Sequence, residues 1–241
     1  FAMARDQVRH YATQGARELV ISGGEPLHHP ELLDVIAEAR GSGIRFISLY
    51  TTAAFNLSPY SAEELNHAGI DLAMVSLFGP DARTHDAVAR KPGAFAQTMA
   101  GLEALSRAGV RFCLNTPVMR ANYRRLEEML RIVLDSGAVS WQLSDIHPTT
   151  AVLANSNVHV SYTELRPVLE KTFCRAAEVG LRVMSQEFPL CVLGEHFIYS
   201  QELCRAWYTS LFTEARFATG EYETVPPITA RARHFAPQCN I

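Results

Sequence analysis

The sequence predicts an α/β fold built on a parallel sheet, either a partial barrel or an open doubly wound sheet. Three observations carry this. Short β-branched, apolar runs recur along the chain. Amphipathic stretches of about three or four helical turns separate them. The runs read as apolar throughout, the mark of strands covered by crossover helices.

In order, residues 4–14 have helical spacing and end at Gly15, where a left-handed residue closes a helix. Residues 18–22 are a short strand ending at Gly23-Gly24. Pro30 suits the first turn of a helix reaching about Arg40, with Leu32, Leu33, Ile36 and Ala37 on one face. Residues 45–51 are the next strand. Ser61-Ala62-Glu63-Glu64 is a capping box, with Tyr60 and Leu65 spaced as a hydrophobic staple. A strand over 72–78 leads through a loop to a helix over 94–107. Residues 110–118 form a strand, and Asn122 is placed to cap a helix ending near Asp135. A strand over 139–146 precedes a second capping box, Ser161-Tyr162-Thr163-Glu164, whose helix runs to about Glu178. The last strand covers 181–185. Beyond it the pattern weakens, with one helix expected around 197–217.

The 241 residues suffice for one domain with a sizeable core, or one domain and a small appendage. Hydrophobic residues at 48% and charged residues at 20% exclude a disordered chain. A net charge of -3 offers no basic footprint for nucleic acid. No apolar run approaches the ~20 residues that span a bilayer. The five cysteines, Cys113, Cys174, Cys191, Cys204 and Cys239, are odd in number and far apart, which favours a reducing cytoplasm over a disulfide scaffold. Both ends are abrupt, and the sequence reads as an excerpt of a longer chain.

The sharpest local feature is Ser22-Gly23-Gly24-Glu25-Pro26-Leu27 at a strand's carboxyl end. Two glycines let a ligand approach the backbone, the glutamate adds a carboxylate, and the proline fixes the turn. Acceptors and negative charge, without a lysine or a row of N–H donors, suit a ligand's cationic amino group rather than a phosphate. The plainer reading is a turn that merely ends a strand. In a parallel α/β sheet, ligands lie at the carboxyl ends of the strands. That places residues 23–26, 51–52, 76–79, 115–117 and 145–148 around one mouth.

The segment Ile21–Glu31, Ile-Ser-Gly-Gly-Glu-Pro-Leu-His-His-Pro-Glu, resembles the Gly-Gly-Glu-Pro motif of the radical S-adenosylmethionine (SAM) superfamily. The resemblance continues through Val75–Gly79, His85-Asp86, Lys91–Phe95 and Asn115–Val118 with Asn122, and covers roughly residues 1–185. It implies a partial (β/α)6 TIM-like barrel over 1–185, helices outside, and a cysteine-bearing extension over 186–241. It also implies a chemistry. A [4Fe-4S] cluster held by three cysteines chelates SAM and cleaves it to methionine and a 5′-deoxyadenosyl radical, which abstracts a hydrogen atom from substrate. An electron donor is then a required partner. By position Gly23, Gly24 and Glu25 would hold the methionine amino end, with Pro26 shaping the turn. Ser76 stands where the family often contacts the ribose, and Asn115 near it.

The sequence departs from the family twice. Where the third strand commonly ends in Thr-Asn-Gly, this one reads Thr51-Thr52-Ala53. The three-cysteine loop, C-x3-C-x2-C, is expected before residue 1 and is not in this sequence. Toward the C-terminus, Cys191 and Cys239 resemble ligands of the auxiliary clusters in the SPASM and twitch subfamilies, which modify peptides, and Cys204 is a third candidate. A peptide or protein substrate follows from that resemblance. Against it stands the common fate of a free cysteine as a small buried residue, which is expected of Cys113 and Cys174.

Three lesser candidates have plainer readings. His28-His29 leads into a helix rather than holding a metal, His85-Asp86 is a solvated loop or a substrate-gating contact rather than a catalytic dyad, and Arg124-Arg125 pairs with Glu127-Glu128 along a helix. Asp145 and His147 are expected at the mouth, facing substrate. Two alternatives stay open: a cluster-less barrel that binds a peptide or partner, and an ordinary lyase using Glu25 as general base.

Overall fold

Strands β1 (Glu18–Ile21), β2 (Phe46–Thr51), β3 (Leu72–Ser76), β4 (Phe112–Pro117), β5 (Trp141–Ser144) and β6 (Val183–Gln186) lie side by side in chain order, every neighbour parallel. The computed structural model describes residues 2–146 and 158–201. A doubly wound sheet needs a reversal of strand order, and this sheet has none. Parallel strands in unbroken chain order keep their crossover helices on one side, as in a barrel wall. All six expected strands are present, most of them trimmed at their ends.

The helices are α1 (Ala2–Thr13), α2 (Leu32–Gly41), α3 (Ala62–Ala68), α4 (Ala82–Ala89), α5 (Ala94–Arg107), α6 (Leu126–Ser136), α7 (Tyr162–Glu178) and the short α8 (Leu190–Leu193). Gly15 closes α1 at φ +92°. The capping box at α3 is complete: Ser61 Oγ accepts from the Glu64 amide, and the Glu64 carboxylate accepts from the Ser61 amide. At α7 only half the expected box forms. Ser161 Oγ accepts from the Glu164 amide, while Glu164 turns its carboxylate to Arg120 and the Ser161 hydroxyl.

Three expectations need correction. The stretch after β3, expected as a loop, contains α4, capped by Asp81 Oδ1 accepting from the Thr84 amide at 2.8 Å. Its thin apolar stripe, between Pro80 and Pro92, hides it from periodicity. Pro30 precedes α2, and the proline that opens helical geometry is Pro26, in a 3-10 turn over Pro26–His28. Asn122 does not cap α6. Fully buried, it accepts from the Met119 amide and donates to the carbonyls of Phe78 and Pro117, pinning the end of β4 to the loop after β3.

The sheet's two faces differ. One row across the strands reads Thr51, Val75, Leu114, Trp141 and Val183, all buried. With Leu49, Ala73 and Leu143 these form the apolar face beneath the helices. Each large side chain there contributes about 1.5–3 kcal/mol of burial. The next row reads Ser76, Asn115, Gln142 and Met184. Successive strand residues point to opposite faces, so Ser76, Asn115 and Gln142 line the inner face beside Met184. The expectation of strands apolar throughout holds in β3 up to Ser76, whereas β5 alternates apolar and polar residues.

After β6, residues 187–201 lie against α7. Tyr199 stacks on Phe173 with ring centroids 5.5 Å apart, His196 lies 5.4 Å from the same ring, and Ser200 bridges to Ser185. The expected helix around 197–217 falls mostly outside the described residues. Gly194–Tyr199 is a 3-10 helix.

Candidate functional site

The turn after β1 is built on two consecutive left-handed glycines, Gly23 at φ +96° and Gly24 at φ +58°. L-residues with a Cβ adopt this conformation at a cost. Nothing lies within 4 Å of a Cβ built on either glycine, so the space above the turn is open. Pro26 and Leu27 beneath it are buried and anchor the turn to the core.

Glu25 is committed to the protein. One carboxylate oxygen accepts from Thr51 Oγ1 at 2.6 Å and the Leu27 amide at 3.2 Å. The other accepts from the Thr52 amide at 2.7 Å and Thr52 Oγ1 at 2.6 Å. A carboxylate has about four acceptor directions, and all are used. Glu25 therefore ties the β1 turn to the end of β2 and brings negative charge beside the turn. The glycine backbone is the part left facing open space.

Thr51-Thr52-Ala53 accounts for the departure from Thr-Asn-Gly. Ala53 has φ +57°, where a glycine would be unstrained, and is fully buried. Gly101 of α5 makes room for it, since a Cβ there would come within 2.0 Å of the Ala53 carbonyl oxygen and 2.6 Å of its methyl. Thr98 Oγ1 donates to the Thr52 carbonyl at 3.0 Å, completing the clasp between β2 and α5.

Ser76 ends β3 in register with Asn115 of β4. Asn115 Oδ1 accepts from Gln142 Nε2 at 3.1 Å and Ser144 Oγ at 3.4 Å, and Gln142 Nε2 also donates to Gln186 Oε1. Asn115 thus belongs to a ladder of side-chain amides across β4, β5 and β6. Sequence reasoning missed Gln142, Ser144 and Gln186. The signal was available in β5, where Trp141-Gln142-Leu143-Ser144 alternates with period two.

Asp145 follows β5, its carboxylate accepting from Tyr162 Oη at 2.7 Å and the Ile146 amide at 2.8 Å. Burial pushes its acid pKa up, partly offset by the Tyr162 hydrogen bond. His147 lies outside the described residues. His85 is buried rather than solvated, its Nδ1 accepting from the Phe78 amide and its ring between Phe78 and Phe95. Burial holds its pKa below the usual imidazole value. Asp86 binds the amides of Gly93 and Phe95 and shapes the lead-in to α5. His29 accepts from the Glu31 amide, ahead of α2. Of the expected pairing along the helix, Arg125 meets Glu128 and also Asp81 at the start of α4, whereas Arg124 donates to Tyr123 Oη and Glu127 pairs with Lys171.

Cys113 is buried, as expected. Cys174 is exposed instead, with its sulfur 3.7 Å from His196 Nε2. Cys191 is exposed on α8, while Cys204 and Cys239 fall outside the described residues. Among the described residues no three His, Cys, Asp or Glu side chains gather as a metal site. No helix among them is long and apolar enough to cross a membrane.

Comparison with known proteins fits this geometry. A Radical SAM superfamily model matches residues 2–133. The AdoMet-dependent heme synthase of Methanosarcina barkeri is 32% identical over 151 residues, which is 61% of this chain and 43% of that protein. The PqqA peptide cyclase of Ruegeria pomeroyi is 30% identical over 130 residues, 53% of this chain and 33% of that protein. The chain thus spans less than half the length of these relatives. Among solved structures, Streptococcus suis SuiB bound to precursor peptide SuiA superposes with a TM-score of 0.62 at 14% identity, covering 76% of this chain and 42% of SuiB. The anSMEcpe structure with bound AdoMet and Kp18Cys peptide gives 0.62 at 16% identity, covering 76% of this chain and 54% of that one. At these identities the superpositions speak to the fold. The family match covers more than half of the chain and runs through the glycine turn and the clasp that Glu25 makes, so this chain belongs to the radical SAM superfamily.

Proposed function

We propose that the full-length protein is an enzyme that cleaves SAM reductively at a [4Fe-4S] cluster and abstracts a hydrogen atom from a peptide substrate. One observation carries the reading: an open, doubly left-handed glycine turn at the carboxyl end of a parallel wall, held by a carboxylate. The residues present suit the methionine end of SAM. Gly23 and Gly24 offer unobstructed backbone, Glu25 sets the turn and its charge, and Pro26 buries its base. Ser76, with Asn115 beside it, faces the nucleoside end.

Bound SAM and its cluster supply one-electron cleavage and a carbon-centred radical. The chain's own part is to orient the cofactor and to hold substrate against the inner face. Cluster ligands of the form C-x3-C-x2-C are not in this sequence, and we assign them to the remainder of the full-length protein. Residues 186–241 are proposed as the start of an auxiliary-cluster region, with Cys191 and Cys239 as ligands. An electron donor and a cytoplasmic setting complete the proposal. The names of one relative and one structural neighbour, a peptide cyclase and a complex with a precursor peptide, support a peptide substrate.

The test is anaerobic reconstitution of the full-length protein with iron, sulfide and SAM, followed by reduction and measurement of 5′-deoxyadenosine. Product formation supports the reading. Its absence from a protein with full iron content refutes it and leaves a binding module.

A further inference from the structure

We propose that Gln142 is a specificity-determining residue whose carboxamide reads a neutral amide group of the substrate, in the first instance a peptide bond. The inference rests on the inner face being the substrate chamber, as proposed above. It goes further in naming the group recognised and the residue that recognises it.

Gln142 is 1% exposed, in one row with Ser76 and Asn115, one inward position below Ser144 at the mouth. Its Nε2 donates to Asn115 Oδ1 and Gln186 Oε1, whereas its Oε1 is buried with no hydrogen-bond partner. A buried carbonyl without a donor costs about 1–3 kcal/mol, so an orphan here calls for a reason. The orientation of an amide is assigned from its neighbours, yet the conclusion does not depend on it. Turning all three amides over preserves the ladder and leaves the Nε2 of Gln142 as the orphan instead. Either way one end of a fixed carboxamide awaits a partner. A peptide bond carries both a donor and an acceptor and satisfies either end.

The chemistry of the face argues against the other substrate class that the relatives suggest. Inward positions of the six strands, such as Ser48, Tyr50, Met74, Ser76, Asn115 and Ser144, include no lysine or arginine. A tetrapyrrole bearing several carboxylates would bring its charge into a face without a cation to meet it, which is costly away from water. A neutral, hydrogen-bonding chain meets no such penalty.

The experiment uses full-length, cluster-loaded protein with SAM bound. An mRNA-displayed library of random peptides is selected on the wild type, and the affinity of an enriched peptide is measured on wild type, Gln142→Met and Gln142→Glu. Coproporphyrin III serves as the polycarboxylate competitor. Melting temperatures establish which variants are folded, and either folded variant suffices to decide. The expected result is a loss of about tenfold or more in peptide affinity, the scale of one desolvated hydrogen bond, with no displacement by the porphyrin. Affinity within twofold of wild type in a folded variant overturns the inference, as does a library that yields no binder or a porphyrin that displaces the peptide at micromolar concentration. 5′-Deoxyadenosine formation by the wild type is followed separately. A protein that cleaves SAM while Gln142→Met binds peptide normally loses this inference and keeps the proposed activity.

Discussion

Toward the carboxyl ends of β4 and β5, the two faces of this sheet follow opposite chemical rules on alternate residues. In β5, Trp141 and Leu143 are fully buried against the helices, while Gln142 and Ser144 between them form a polar ladder with Asn115 and Gln186. The outer face holds the fold through area removed from water. The inner face keeps hydrogen-bonding groups that an apolar core would stabilise better. Polar groups retained at that cost are the ones to suspect of binding something.

The sharpest way to break this comparison is to truncate one residue on each face. Trp141→Ala removes a fully buried indole and leaves Thr116 Oγ1 without the Nε1–H that donates to it at 2.9 Å. The expected loss is about 3–5 kcal/mol in denaturant unfolding. Gln142→Met, adjacent in sequence, loses the bonds to Asn115 and Gln186 but also removes the orphaned amide end, so its net loss is expected at about 1 kcal/mol, well below that of Trp141→Ala. Equal losses at the two positions would show that both faces are structural.

Next in size is the clasp at the mouth. Gly101→Ala places a Cβ 2.0 Å from the Ala53 carbonyl oxygen, and overpacking of this kind costs about 1–3 kcal/mol. Because the clash is chiefly with backbone, Ala53→Gly should not rescue it, although that change relieves the strain at φ +57°. Rescue in a double-mutant cycle would mean that the Ala53 methyl was the obstacle. Glu25→Gln replaces one acceptor with an NH2 facing donors and removes the charge. A stability loss of about 1.5–3 kcal/mol follows from losing charged hydrogen bonds, read by the same unfolding measurement. If Glu25 acted only on a ligand, the variant would melt like the wild type.

Much of this was legible in the sequence. β-branched runs gave every strand, Ser61 and Glu64 gave a complete capping box, and the Gly-Gly-Glu-Pro spacing gave the turn. What escaped has a common cause: contacts that local pattern does not encode. Glu25 meets Thr52 across 27 residues, and Asn122 meets Phe78 across 44, so neither role follows from its neighbours. The amide ladder was locally visible in β5 as alternation, but Asn115 alone looks like a strand-end polar residue. Only strand register turns scattered amides into a row.

The smallest effect expected concerns Asp145, where the inner ladder gives way to the mouth. Burial raises its pKa, while the hydrogen bonds from Tyr162 and the Ile146 amide and the neighbouring His159 lower it and Glu187 raises it further. A carboxyl group with a raised folded pKa favours the folded state while protonated, below the ordinary value of about 3.9. That contribution fades as pH rises through the raised value. Carboxylates held low act in the opposite sense. Glu164, brought to about 2 chiefly by the Arg120 hydrogen bond, contributes above the ordinary range and loses that contribution as pH falls through about 2. The two opposed slopes separate when wild type is compared with Asp145→Asn, which can still accept the Tyr162 hydroxyl and does not titrate. The unfolding midpoint of the variant relative to wild type should therefore rise as pH increases from about 4 through the raised pKa, and level off beyond it. A difference independent of pH would mean that Asp145 is ionised in the folded protein at its ordinary pKa, and that the mouth is wetter than its burial implies.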